Sequence, residues 1–262
     1  MKSKKLIKNY IGYSIIFIYS LMEWERTLIP EINFIDFYND DNFTKNLWIS
    51  IFNSLVEITE PCISFDPRNF AFINDFLQNK DKITKEYEKY SNFHWPVSYK
   101  LFDSSILENN EKGGNYNYQF VKFYELLEKN AVWYPVLSRL FKKYPEVATG
   151  FFSEIKGELK IKTHRGPYRG LIRGHITIKN EETNNCKLIV HDGMELKWKT
   201  GNAFVFDDTY FHRLDKWGDG TRTSFIFDIK RQFKSENMNK LNTLIIDSLN
   251  NSDYVMEIRQ KL

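Results

Sequence analysis

The sequence predicts an α+β fold: a double-stranded β-helix (jelly roll) core with a helical N-terminal half and a C-terminal helix. Three observations carry this prediction. After Pro145, short alternating segments follow one another, punctuated by Gly, Asn and Asp turns. Before it, apolar residues recur mostly at helical spacing. Aromatic residues make up 16% of the 262, with 22 Phe and 15 Tyr, bulky side chains that fill a core from helices or strands alike.

Taken in order, residues 1–30 form a basic and apolar segment. Lys2, Lys4, Lys5 and Lys8 precede the uncharged run YIGYSIIFIYSLM at residues 10–22. A spanning helix needs about 20 apolar residues. The run therefore suits a packed terminal helix or a membrane-surface anchor, and both readings stay open. No small-x-small cleavage site follows it.

Residues 31–145 read as a mainly helical support region, with segments such as LWISIFNSLVEI, FINDFLQNKDKITKEYEKY and FVKFYELLEKNAVWYPVLSRLFKKY. In the last, Phe120, Phe123, Leu126 and Leu127 recur at helical spacing and predict one apolar stripe. The polar stretch at 100–119, with Gly113-Gly114, predicts mostly loop. Residues 146–235 hold the β core. GELKIKTH alternates Leu159 and Ile161 against Glu158, Lys160 and Lys162; LIRGHITI, CKLIVHDG, MELKWKTG, AFVFDD and TRTSFIFDIKR follow. Residues 236–262 close the chain with a helix over roughly Glu236 to Gln260.

Composition removes some function classes. Lys+Arg 37 against Asp+Glu 34 is too balanced for a dedicated nucleic-acid binder. With only Cys62 and Cys186 there is no disulfide framework, which predicts a reducing, cytoplasmic setting, with membrane association through the N-terminus as the addition to test.

The histidines carry the chemistry. His164 ends one strand and His212 follows another, so two imidazoles at strand rims converge on one metal if those strands neighbour each other. Neutral imidazoles with open positions suit Fe(II). The bland alternative is that any β-rich domain carries a few histidines at strand ends. In LIRGHITI, strand alternation puts Arg173 and His175 on one side, opposite Ile172, Ile176 and Ile178. Arg222 offers a planar fork for a carboxylate. Its alternative role is as partner to Asp219 or Asp228, and that of Arg173 is as a surface residue. His191, in the turn VHDG, reads as exposed, His94 as a packed loop histidine, and Cys186 as a small buried residue.

These residues fall in a pattern. His164-x-Gly166-Pro167 is followed by Arg173 and His175, then by Phe206-Asp207-Asp208 leading to His212, then by Arg222 opening a hydrophobic strand that ends in Asp228. The stretch from about Ser153 to Lys230 resembles the aspartyl/asparaginyl β-hydroxylase family of Fe(II)/2-oxoglutarate oxygenases, and is also similar to its lipid A acyl hydroxylase branch. The resemblance implies His164 and His212 as iron ligands. It implies Arg222 with Ser153 on the distal carboxylate of 2-oxoglutarate, and Arg173 with His175 near its metal-chelating end. Most oxygenases of this fold carry Asp or Glu where this chain has Gly166; family members acting on proteins share the glycine, with water in that place. Asp208 is then expected to orient that water, while Asp207 reads as a turn residue.

The chemistry so implied consumes 2-oxoglutarate and O2, releases succinate and CO2, and hydroxylates an unactivated carbon. The first substrate expectation is the β-carbon of Asp or Asn in a polypeptide or amino acid, and the alternative is a lipid acyl chain. A non-catalytic metal- or sugar-binding jelly roll is the reading from another class; His164, His212 and Arg222 together argue against it.

Overall fold

The computed structural model describes residues 43–91, 115–181 and 185–262. The chain divides into two compact units, residues 1–61 and 62–262. In the first, the described element is helix α1 (Phe43–Thr59), which contains the expected LWISIFNSLVEI. The uncharged run at 10–22, His94 and residues 100–114 lie outside the described residues. Among the described residues, no helix is long and apolar enough to cross a membrane.

The second unit begins with strand β1 (Ser64–Phe65), helices α2 (Ala71–Gln78) and α3 (Lys80–Ser91), strands β2 (Asn115–Phe123) and β3 (Glu125–Leu126), and helices α4 (Glu128–Ala131) and α5 (Pro135–Lys143). Strands β4 (Val147–Lys156), β5 (Leu159–His164), β6 (Leu171–Asn180), β7 (Asn185–Val190) and β8 (Met194–Lys197) follow. The chain ends with β9 (Ala203–Phe206), β10 (His212–Trp217), β11 (Thr221–Lys230) and helices α6 (Glu236–Asn250) and α7 (Asp253–Lys261).

The strands form a seven-stranded sheet, β1-β9-β6-β11-β4-β2-β3, and a four-stranded sheet, β5-β10-β7-β8. This is the jelly roll, built from antiparallel pairs. Alternation sorts the side chains. From β11, Phe225 and Phe227 join Ile172 and Ile176 of β6 in a core with Phe72 and Phe76 of α2, Ile83 of α3, and Leu137 and Phe141 of α5. The helices thus cover one face of the large sheet. On the other face, Ile155, Phe204 and Phe206 meet Leu159, Ile161, Leu188, Val190 and Leu214 of the small sheet. The aromatic surplus goes chiefly into the helix-facing core, where Phe72 stacks on Phe141 at 6.0 Å and Phe76 on Phe225 at 4.9 Å.

Two expectations are corrected. Residues 115–123 and 125–126 are strands, so the helical stripe through Phe120, Phe123, Leu126 and Leu127 does not form, and the sheet begins inside the region expected to be helix and loop. In so short a window the four apolar residues fit either period; pairing with β4 decides, with Tyr118 opposite Ser153 and Phe120 opposite Phe151. The C-terminal helix is two helices. Ser252 caps a new N-terminus by accepting from the Val255 N–H, and α7 starts there.

Candidate functional site

His164 and His212 come from strands that do neighbour each other. They are register partners in the β5–β10 ladder, and their ring centroids are 4.2 Å apart. Each Nδ1 is 2.8 Å from a backbone carbonyl two residues earlier, Lys162 O for His164 and Tyr210 O for His212. A carbonyl only accepts, so Nδ1 carries the proton in both rings and Nε2 keeps its lone pair, the form a metal needs. Burial lowers both pKa values, that of His212 well below its usual range, and keeps the pair neutral. Among the described residues no cluster of three or more His, Cys, Asp or Glu side chains gathers in metal-holding geometry. What the fold offers is the imidazole pair.

The inner face of the large sheet is laid out in cross-strand rows. One row runs Tyr116, Ile155, Arg222; the next Tyr118, Ser153, Ser224, Thr177; the next Phe120, Phe151, Ile226, His175, Phe204; and the last Thr149, Asp228, Arg173, Phe206. Arg173 and His175 therefore do share the inward side. Arg222 is 0% exposed, its guanidinium lies 4.8 Å from the Trp198 ring, and Nη1 donates to Ser153 Oγ at 3.3 Å. Neither Asp219 nor Asp228 is its partner: Asp228 accepts from Arg173 and from Thr149.

Arg222 Nε and Nη2 are buried without a hydrogen-bond partner among the described residues, as are Ser224 Oγ and Thr177 Oγ1 beside them. A buried cation is costly unless an anion meets it. The donor set left open here, a guanidinium edge and neighbouring hydroxyls, fits a carboxylate. Sequence reading named Ser153 but missed Ser224 and Thr177. The signal was present: each lies two residues along a strand from a residue already placed on the inner face.

Arg173 is clamped between two carboxylates, with Nη1 at 2.9 Å from Asp208 and Nε at 2.8 Å from Asp228. Its charge is thus already met within the chain. Burial pushes the Asp208 carboxyl above the ordinary carboxylate range, with Arg173 opposing the shift. His175 is buried, its ring stacked 4.8 Å from Phe204, and its Nδ1 has no hydrogen-bond partner among the described residues. Burial, reinforced by Arg222 and Arg173, keeps it neutral.

At Gly166 the chain offers no side chain. A Cβ built there would lie 2.4 Å from the Asp208 carboxylate, and the Gly166 N–H donates to the Asp208 carbonyl at 2.6 Å. Asp208 therefore occupies the volume that a side chain at 166 would need. Asp207 plays the turn role expected of it, accepting from the Thr209 N–H at 3.0 Å and its hydroxyl at 2.6 Å, and it also accepts from Arg231 at 3.1 Å. His191 is exposed on its turn and Cys186 is buried, as expected.

Comparison with known proteins bears on this arrangement. The family model described as aspartyl/asparaginyl beta-hydroxylase matches residues 77–232, more than half of the chain. An ornithine lipid ester-linked acyl 2-hydroxylase of Rhizobium tropici is 33% identical over 94 residues, covering 36% of this chain and 34% of that protein. The chain thus spans about a third of the length of the curated relative it matches. Among solved structures, a 2OG-Fe(II) oxygenase family oxidoreductase from Burkholderia pseudomallei aligns at 12% identity and TM-score 0.36, over 48% of this chain and 72% of that one. A Pseudomonas putida prolyl-4-hydroxylase aligns at 11% identity and TM-score 0.30, over 51% and 82%.

Proposed function

The chain belongs to the aspartyl/asparaginyl β-hydroxylase family, and from that premise we propose that it is an Fe(II)- and 2-oxoglutarate-dependent dioxygenase hydroxylating an unactivated carbon. The observation that carries the reading is the pairing of two neutral imidazoles at 4.2 Å with a fully buried arginine that no carboxylate meets among the described residues. Iron, the keto acid and O2 together would supply oxidative decarboxylation, one oxygen atom going to succinate as CO2 leaves and the other to a C–H bond of the substrate.

The chain's own residues would do the rest. His164 and His212 would hold Fe(II) through Nε2, their orientation fixed by the Lys162 and Tyr210 carbonyls. Arg222 and Ser153 would take the distal carboxylate of 2-oxoglutarate. Arg173 and His175 would flank its chelating end, with Arg173 held in place by Asp208 and Asp228. Asp208, standing against Gly166, would orient water beside the metal in the place a ligand carboxylate takes in related folds. Phe204, Phe206 and Trp198 would exclude bulk water and so strengthen the ion pairs.

For the substrate, the β-carbon of Asp or Asn is the first reading. A second, hydroxylation of a fatty acyl chain at a membrane surface, is favoured by the Rhizobium relative. One experiment tests the reaction and another separates the substrates. Purified protein given Fe(II) and 2-oxoglutarate in air should release succinate slowly without substrate; a binding module releases none. Mass spectrometry of peptides and lipids from cells with and without the protein should then show a one-oxygen mass gain in one class only.

A further inference from the structure

Lys216 lies at the end of β10 opposite His212, facing inward with His212 and Leu214, and is 1% exposed. Its ammonium meets backbone rather than a carboxylate: Nζ donates to Gly157 O at 2.6 Å and to Gly218 O at 2.9 Å. Gly157 lies in the turn between β4 and β5, and Gly218 in the turn between β10 and β11. Strand β4 brings Ser153 to the inner face and β11 opens with Arg222, whose Nη1 donates to that serine. One ammonium therefore ties the turn that follows the strand of Ser153 to the turn that precedes the strand of Arg222. Across the β7–β10 ladder Lys216 is opposite Cys186, and both feel the charge of Arg222.

Stability alone does not call for a lysine here. An apolar side chain of similar length would fill the site without desolvating a charge, at the cost of the two carbonyl hydrogen bonds, so the lysine's net contribution to stability is small. A second buried cation near Arg222 adds repulsion unless an anion enters. We propose that Lys216 is a positioning residue for the anion cradle: it locks the two turns so that Arg222 and Ser153 meet the distal carboxylate in one geometry. The inference rests on 2-oxoglutarate being the co-substrate.

The test compares Lys216→Met, Lys216→Arg and Arg222→Met with the wild-type chain, loaded with Fe(II) and kept free of O2. Equilibrium dialysis measures binding of 2-oxoglutarate and of 2-oxobutyrate, which keeps the chelating keto acid but lacks the distal carboxylate, and thermal melts accompany each protein. Lys216→Met should bind 2-oxoglutarate about tenfold more weakly while binding 2-oxobutyrate as the wild type does, with a melt lowered only by the loss of the two carbonyl hydrogen bonds. Lys216→Arg should recover most of the loss. If Lys216→Met binds 2-oxoglutarate normally while Arg222→Met does not, the positioning role is wrong and the co-substrate reading stands. Equal loss of both keto acids with a lowered melt also overturns it, as a purely structural effect. A wild-type protein that binds neither keto acid overturns the inference together with the function it rests on.

Discussion

Asp208 and Gly166 behave as one unit, because the carboxylate fills the space a Cβ at 166 would enter. Two predictions follow at this scale. Asp208→Ala should lower Fe(II) affinity about tenfold, the usual effect of losing a group that orients a metal's surroundings; isothermal titration with Fe(II) under argon measures it, and unchanged affinity and turnover would remove the role. Gly166→Ala should act in the same direction, since the new methyl displaces the Asp208 carboxylate. If Gly166→Ala binds iron normally while Asp208→Ala does not, the carboxylate works from a position the methyl does not disturb. The tie between these residues was only half legible in the sequence. Asp208 lies four positions before His212, which suggested proximity to the metal, but the clamp on Arg173 joins Asp208 and Asp228 to a residue on another strand, and no local pattern announces that.

The strands were legible where one row of side chains is apolar and the ends carry turn residues. β5, β8, β9 and β11 fall within, and β6 and β7 overlap, segments whose alternation or turn punctuation marked them. β10 was not foreseen, because its two rows, His212, Leu214, Lys216 and Arg213, Asp215, Trp217, are about equally polar and show no alternation. β2 was misread because Phe120, Phe123, Leu126 and Leu127 satisfy a helical spacing that tertiary pairing overrides. Its outer face now supplies a prediction. Lys122 is buried near Phe141, its Nζ 5.5 Å from the ring, and burial lowers its pKa to about 8 with Glu146 partly opposing. At pH 7 the side chain is charged in both folded and unfolded chains, so the fold carries the whole desolvation penalty. As pH rises from 8 towards 10.5 the folded form loses its proton first and stability rises. Lys122→Met should therefore stabilise by about 1–3 kcal/mol at pH 7 and by much less at pH 10, read by urea melts at both. In β6, a Cβ at Gly174 would lie 2.1 Å from the ring of Phe227, which is 0% exposed and cannot withdraw. Gly174→Ala should destabilise by about 1–3 kcal/mol in the same assay.

For the whole molecule, the buried histidines link stability to pH. His164, His175 and His212 all have pKa values lowered in the fold. As pH falls through about 6.5 the unfolded chain binds protons that these histidines refuse in the fold, while the Asp208 carboxyl, raised to about 7, takes one up and offsets part of the effect, so the metal-free protein should show a net loss of stability between pH 7 and 5.5. Bound Fe(II) should deepen that loss, because protons and metal compete for the same imidazole lone pairs.

The central claim joins two histidines and one arginine through a jelly roll, and one measurement reaches all three: a spectrophotometric titration of the Fe(II)-loaded protein with 2-oxoglutarate in the absence of O2. The wild-type chain should develop a visible metal-to-ligand charge-transfer band that saturates with the keto acid. His212→Ala should show none, and Arg222→Met should need far more 2-oxoglutarate to reach the same amplitude. A wild-type protein that gives no band at saturating 2-oxoglutarate, or a His212→Ala variant that gives the full one, would contradict the account.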